Sequence, residues 1–136
     1  MNRRLVVEAD GGSRGNPGPA AYGAVVREAA TGEVLAELAD HLGVTTNNVA
    51  EYTGLILGLK RAKAMGLREL EVLADSELLV KQLSGEYKVK ADHLQPLHDE
   101  AKALLKAFDV IDVRHIPREE NEAADEMSNK AIDLRL

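Results

Sequence analysis

The sequence has no cysteine, no tryptophan and a single phenylalanine, so that aromatic residues make up only 3% of its 136 positions. The lack of cysteine excludes thiolate zinc sites, disulfide frameworks and cysteine-nucleophile chemistry, and makes a reducing cytoplasm the expected compartment. No apolar run reaches the ~18 residues that a membrane helix needs. The start, Met1-Asn2-Arg3-Arg4 followed by Leu5-Val6-Val7, has neither the apolar region nor the cleavage site of a signal peptide. Positive charge is also short, with 17 Lys and Arg against 23 Asp and Glu and a net charge of −6. Domains that grip nucleic acid by bulk charge are usually basic, so any polyanion binding here must be local or assisted by bound cations. Repeats, low-complexity tracts and linkers are missing too, which leaves one domain over 1–136 as the expectation. A chain near ~150 residues buries roughly 68–70% of its unfolded surface, enough for a core without staples.

What is present is a change of period along the chain. Leu5 to Asp10 is apolar and β-branched and is stopped by Gly11-Gly12, so it reads as a strand ending in an acid. Strands are expected over 21–26 and 33–38, joined by a short polar connection that suggests an antiparallel hairpin. From Asn48, the residues Val49, Tyr52, Leu55, Ile56 and Leu59 fall on one helical face, with Gly66 placed to end the helix. A strand over 70–74 again ends in an acid, Asp75, and a helix over 76–83 is closed by Gly85. Asp92 and Gln95 have the spacing of a capping box for a helix carrying Leu94, Leu97, Ala101, Leu104, Leu105 and Phe108. A strand over 110–113 and a last helix over 120–134, with Ala124, Met127, Ala131 and Leu134 inward, complete the order βββ-α-β-α-α-β-α. Strands separated by helices pair in parallel through right-handed crossovers, so the fold class is α/β, a mixed sheet with helices on its faces.

Four acids occupy telling places. Asp10 and Asp75 end two strands, Glu51 lies in the first turn of the long helix, and Asp125 lies at the start of the last one. Sites in open α/β sheets form beyond the carboxyl ends of strands, so adjacent parallel strands would bring Asp10 and Asp75 into one crevice. Clustered carboxylates repel one another, and divalent cations would resolve that repulsion. All-oxygen ligation selects Mg²⁺ or Mn²⁺ over zinc, and a pair of such ions ~3.5–4 Å apart suits in-line phosphodiester hydrolysis. Each acid also has a local explanation. Glu51 stands three residues after Asn48, as in a capping box; Asp125 can complement a helix dipole; Asp10 can form a turn; Asp75-Ser76 can start a helix. Those explanations do not predict that all four should share one sheet edge.

The run Asp10-Gly11-Gly12-Ser13-Arg14-Gly15-Asn16-Pro17-Gly18-Pro19 is not a nucleotide loop. It has neither Gly-x-Gly-x-x-Gly nor Gly-Lys-Ser/Thr, and a strand follows it. Of the histidines, His41, His93 and His98 read as surface residues without metal-ligand spacing. His115 differs because it ends the last strand, ten residues before Asp125, where it could shuttle protons or help product leave.

Taken together, Asp10 through Pro19, Thr45-Thr46-Asn47-Asn48-Val49-Ala50-Glu51, Asp75-Ser76, and His115 through Asn121 to Asp125 run in order through nearly the whole chain and resemble type 1 ribonuclease H. The resemblance implies a ribonuclease H-like fold, a five-stranded mixed sheet of order 3-2-1-4-5 with helices on both faces. It also implies two Mg²⁺ or Mn²⁺ ions per active site and cutting of the RNA strand of an RNA–DNA hybrid, leaving 5′-phosphate and 3′-hydroxyl ends. By that likeness Asp10 bridges both ions, Glu51, Asp75 and Asp125 complete the ligation, Asp75 helps orient the attacking water, Glu51 touches a ribose 2′-hydroxyl, and His115 assists catalysis. The loops of Ser13, Arg14, Gly15 and Asn16 and of Asn47 and Asn48 would read the minor groove, where 2′-hydroxyls distinguish RNA from DNA. Thr46 and Ser76 would contact the DNA strand, Lys88 and Lys90 its phosphates, and Asn121 is a further substrate-contact candidate.

Two departures stand out. Members with a basic protrusion carry a Lys/Arg- and Trp-rich insertion where this chain has only Gly85-Glu86-Tyr87-Lys88-Val89-Lys90, and Val44 occupies a place where a basic residue is common. The pattern resembles the branch without a protrusion, some of whose members are N-terminal domains fused to a phosphatase. Another nuclease of this fold, junction-resolving or transposase-like, and a catalytically weak hybrid-binding module are the alternatives. The expected partner is an RNA–DNA hybrid, with no membrane, and the expected state a monomer.

Overall fold

A computed structural model describes residues 4–66 and 68–134, the side chains of Val110 and Leu134 apart. Three antiparallel strands open the chain: β1 (Arg4–Ser13), β2 (Gly18–Glu28) and β3 (Val34–Thr45). The long helix α1 (Asn47–Ala64) leads into β4 (Glu69–Ala74), which pairs in parallel with β1. Helices α2 (Glu77–Ser84) and α3 (Gln95–Leu105) precede β5 (Val110–His115), parallel to β4, and a short 3₁₀ turn (Arg118–Glu120) leads into α4 (Glu122–Leu134). The sheet order is β3-β2-β1-β4-β5, as expected.

Alternation along β1 divides the molecule. Leu5, Val7 and Ala9 join Leu70, Val72 and Ala74 in a core closed by Tyr52, Leu55 and Leu59 of α1 and by residues of α2 and α3. Glu8 and Asp10 alternate with that set, and α4 lies over β1 and β2 with Ala124, Ser128 and Ile132 buried. The inward stripe of α4 is therefore not the one expected. Met127 and Ala131 are only half-buried, and the side chain of Leu134 lies outside the described residues. The helix starts two residues later than the pattern suggested, after the 3₁₀ turn, and a polar serine occupies its buried face.

Helix ends supply two more corrections. Thr46, not Asn48, caps α1, its hydroxyl accepting the Val49 N–H at 3.3 Å. Glu51 thus sits in the second turn, too far along to complete a capping box, and its carboxylate is free for other work. Asp92 and Gln95 form no capping box either. Leu94 stands at the N-cap of α3 with no side-chain bond, Pro96 fills the first turn, and Gln95 Nε2 donates to Asp99 at 3.0 Å. Phe108 is buried beyond the end of that helix. His98 is not a surface residue: its Nε2 lies 3.1 Å from the Gln82 carbonyl and its ring meets Tyr52 edge-on.

Candidate active site

Parallel pairing of β1 with β4 runs up to Ala9 and Ala74, so Asp10 and Asp75 lie side by side where it stops; β1 does not end at Asp10 as expected but continues along β2 to Ser13. Glu51 reaches the same edge because α1 presses directly on β1. A Cβ on Gly11 would overlap the Ala50 carbonyl and stand 2.5 Å from the Glu51 nitrogen. Asp125 enters from the first turn of α4. The four carboxylates line one open cavity of about 550 Å³, together with Ser13, Arg14 and Asn47.

Asp10 is 5% exposed. Burial foremost, then the Asp75 and Asp125 carboxylates, push its pKa up to about 7, against a hydrogen bond from Ser128 that favours the charged form. Burial and Asp75 likewise raise Glu51 to about 7, opposed by the Ser76 hydroxyl. The neighbouring Tyr52 phenol is pushed up to about 12 by burial and by Glu51, and it donates to Gln82 Oε1 at 2.6 Å. The negative set is therefore under-compensated; Arg14 and Arg118 line the same cavity, and Arg118 Nε lies 3.5 Å from Asp125 Oδ1 on an exposed side chain. Among the described residues no group of three or more His, Asp or Glu side chains stands at cation-ligating spacing.

The two loops expected to face substrate are tied to each other. Asn47 Oδ1 accepts the Ser13 N–H at 2.7 Å and lies 2.9 Å from Ser13 Oγ, which also donates to the Gly15 carbonyl. Asn16 Oδ1 in turn accepts the Asn47 N–H at 3.1 Å. Ser76 caps α2 by accepting the Leu79 N–H, so Thr46 and Ser76 both hold helix starts at the cavity's edge. Val44, beside them, is 73% exposed and apolar.

Other sequence candidates lie apart. Lys88, Lys90 and Asn48 line a second groove of about 570 Å³ with Tyr87 and Leu78. Lys81 is engaged by Glu77 at 2.6 Å and by the Tyr87 ring. His115 is exposed at the end of β5, opposite Ala74, and does not line the carboxylate cavity. Asn121 departs from the substrate-contact expectation: it is 0% exposed, and its Nδ2 donates to the Ala9 carbonyl at 2.9 Å. It holds α4 to β1 and does not reach the cavity. Sequence reasoning missed Arg118 and Ser128, although Ser128 stands one turn beyond Asp125, a spacing that places both on one face of the helix.

Residues 8–131 match the reverse transcriptase-like family. A bifunctional protein of Mycobacterium tuberculosis is 52% identical over 130 residues, which cover 96% of this chain and 36% of that protein. The chain thus spans about a third of the length of the mycobacterial relatives it matches. The solved N-terminal RNase H domain of the M. tuberculosis protein superposes with a TM-score of 0.94 at 50% identity, covering 98% of this chain and 96% of that one. RNase H1 of Halobacterium salinarum is 42% identical, with a TM-score of 0.90 and coverage of 96% and 98%. LC11-RNase H1, solved in complex with an RNA/DNA hybrid, gives 40% identity, the same TM-score and the same coverage. The chain belongs to the type 1 ribonuclease H family.

Proposed function

We propose that this chain is a catalytic domain, spanning 1–136, that hydrolyses the RNA strand of RNA–DNA hybrids and leaves 5′-phosphate and 3′-hydroxyl ends. The observation that carries the reading is the convergence of Asp10, Glu51, Asp75 and Asp125, from four separate elements, on one polar cavity flanked by the Ser13–Asn16 segment and by Asn47 at the start of α1, which are hydrogen-bonded to each other. Membership of the family and the hybrid held by LC11-RNase H1 support the substrate class.

The donor set fits divalent cations. All four groups offer only carboxylate oxygens, and two of them, Asp10 and Glu51, are held away from ionisation by burial and by the neighbouring Asp75, a cost that a cation would remove. When bound by these four residues, two Mg²⁺ or Mn²⁺ ions supply the positive charge that in-line displacement at phosphorus requires. The protein's own groups do the rest. Asp75 orients the attacking water, and Glu51, steadied by Ser76, accepts a ribose 2′-hydroxyl. Ser13, Arg14, Gly15, Asn16, Asn47 and Asn48 present polar atoms to the minor groove of the hybrid. Thr46 and Ser76 face the DNA strand, while Lys88 and Lys90 in the second groove meet its phosphates. From the exposed end of β5, His115 moves a proton or speeds product departure.

No helix among the described residues is long and apolar enough to cross a membrane. A monomer acting in the cytoplasm completes the reading. Incubation of a uniformly labelled RNA–DNA hybrid and of the matched DNA duplex, each with and without Mg²⁺, is the test. Cleavage confined to the RNA strand and to Mg²⁺-containing samples is expected; cutting of the DNA duplex at a comparable rate would overturn it.

A further inference from the structure

We infer that Ser128 is a positioning residue for Asp10, holding one carboxylate oxygen in place from behind so that the other faces a cation. The inference deepens the cation-site reading and rests on it.

Ser128 is 3% exposed, and its Oγ donates to Asp10 Oδ2 at 2.8 Å. The same oxygen lies 3.0 Å from the Asp125 carbonyl. A hydroxyl has one proton to give, so these two acceptors are alternatives. The helix is seated to make the first contact possible. Gly23 is the cross-strand partner of Asp10, and a Cβ there would overlap the Ala124 carbonyl and stand 2.8 Å from the Ser128 nitrogen. At the start of α4, buried Asn121 donates to the carbonyl of Ala9, the residue before Asp10. Asp125 follows one turn later, its N–H donating to the Asn121 carbonyl at 3.0 Å. Asp125 therefore stands between two pins, one to the backbone of β1 and one to the Asp10 side chain, and its place relative to Asp10 is set by both.

Loss of a hydrogen-bond partner behind a ligating group typically costs ~10–100-fold in metal affinity.

The test is calorimetric titration of the full chain with Mn²⁺, without nucleic acid, for the parent, Ser128→Ala and Ser128→Thr, paired with the Mg²⁺ dependence of hybrid cleavage. Ser128→Ala is expected to weaken Mn²⁺ binding by ~10-fold or more and to raise the half-saturating Mg²⁺ in step. Its kcat recovers at saturating Mg²⁺, and Ser128→Thr, which keeps the hydroxyl, restores affinity. Equal Mn²⁺ affinity in parent and Ser128→Ala would overturn the inference. So would a threonine variant as weak as alanine, or a kcat loss that saturating Mg²⁺ does not repair. A parent that binds no Mn²⁺ would overturn the cation-site reading itself, and the role of Ser128 with it.

Discussion

Replacing Asp10 by Asn is expected to abolish cleavage while stabilising the cation-free protein, and the gain should depend on pH. The acid rises from 3.8 to about 7 on folding, through burial first and then through Asp75 and Asp125. A raised carboxyl pKa means that the folded state binds more protons than the unfolded state between about pH 4 and pH 7, so this group costs stability as pH rises through that window. At ~1.36 kcal/mol per pKa unit the ceiling is ~4 kcal/mol above pH 7. About two of the three units fall between pH 5 and 7, and water entering the cavity reduces the yield. The advantage of Asp10→Asn should therefore grow by ~2 kcal/mol between pH 5 and pH 8. For a chain of this size that corresponds to a Tm difference larger by roughly 6–10 °C at pH 8.

Asn keeps an acceptor for the Ser128 hydroxyl, so no buried donor is orphaned in the variant. The assay is thermal and urea unfolding of both proteins in EDTA across that pH range, followed by addition of Mg²⁺. Mg²⁺ should raise the Tm of the parent and leave that of the variant nearly unchanged, because a ligand stabilises only the state that binds it. A stability gain independent of pH would refute the electrostatic account. Near-normal turnover by the variant would refute the mechanism.

His115→Ala should slow turnover without eliminating it, since general acid–base help is worth ~10²–10⁴-fold and a product-release role less; complete inactivity at saturating Mg²⁺ would make the residue structural. Exchanging both Lys88 and Lys90 for Ala should flatten the salt dependence of hybrid binding, measured in Ca²⁺, because each phosphate contact contributes a slope of about 0.7–0.9. An unchanged slope would place the grip elsewhere. Tyr52→Phe leaves the buried Gln82 Oε1 without its donor and should lower stability by ~1–3 kcal/mol in urea titrations. An effect near zero would mean that Gln82 finds another donor.

Much of the site was legible because its parts end strands or begin helices. The apolar run through Ala9 stops at Asp10-Gly11-Gly12 and the run through Ala74 stops at Asp75; β1 itself continues to Ser13 along β2, but its parallel pairing with β4 ends at Ala9 and Ala74, which brings the two acids to one place. The stripe of Tyr52, Leu55, Ile56 and Leu59 on α1 was equally plain, since all four are buried. Failures came where polar residues do buried work. Ser128 and Asn121 belong by composition to a surface, so the stripe of α4 was read through Met127 and Ala131, and Asn121 was read as a contact for substrate. Periodicity registers apolar side chains only, and it cannot see a serine whose partner is a carboxylate 118 positions away. Capping was misread for a different reason. Thr46 and Asn48 are both competent caps, and two residues of ambiguity decide whether Glu51 looks structural or free.

An acidic protein that is to hold a polyanion needs its few cations near the site, and this one keeps several of them occupied. Arg14 pairs with Asp133, Arg118 with Asp125, and Lys81 with Glu77, all at or beside the two grooves. Each pair has at least one largely exposed partner, and surface pairs are worth only ~0–1 kcal/mol each. A phosphate arriving at Arg14 or Arg118 therefore exchanges one weak ion pair for another, and the displaced Asp133 or Asp125 becomes uncompensated. For Asp133, exposed to water, that costs little. For Asp125, which stands beside Asp10, it adds negative charge to a set already short of compensation. Contact between substrate and Arg118 thus strengthens the demand for cations at the carboxylates, while cations there lower the cost of freeing Arg118. Each event favours the other, which gives substrate binding and cation binding a reciprocal, positive thermodynamic coupling.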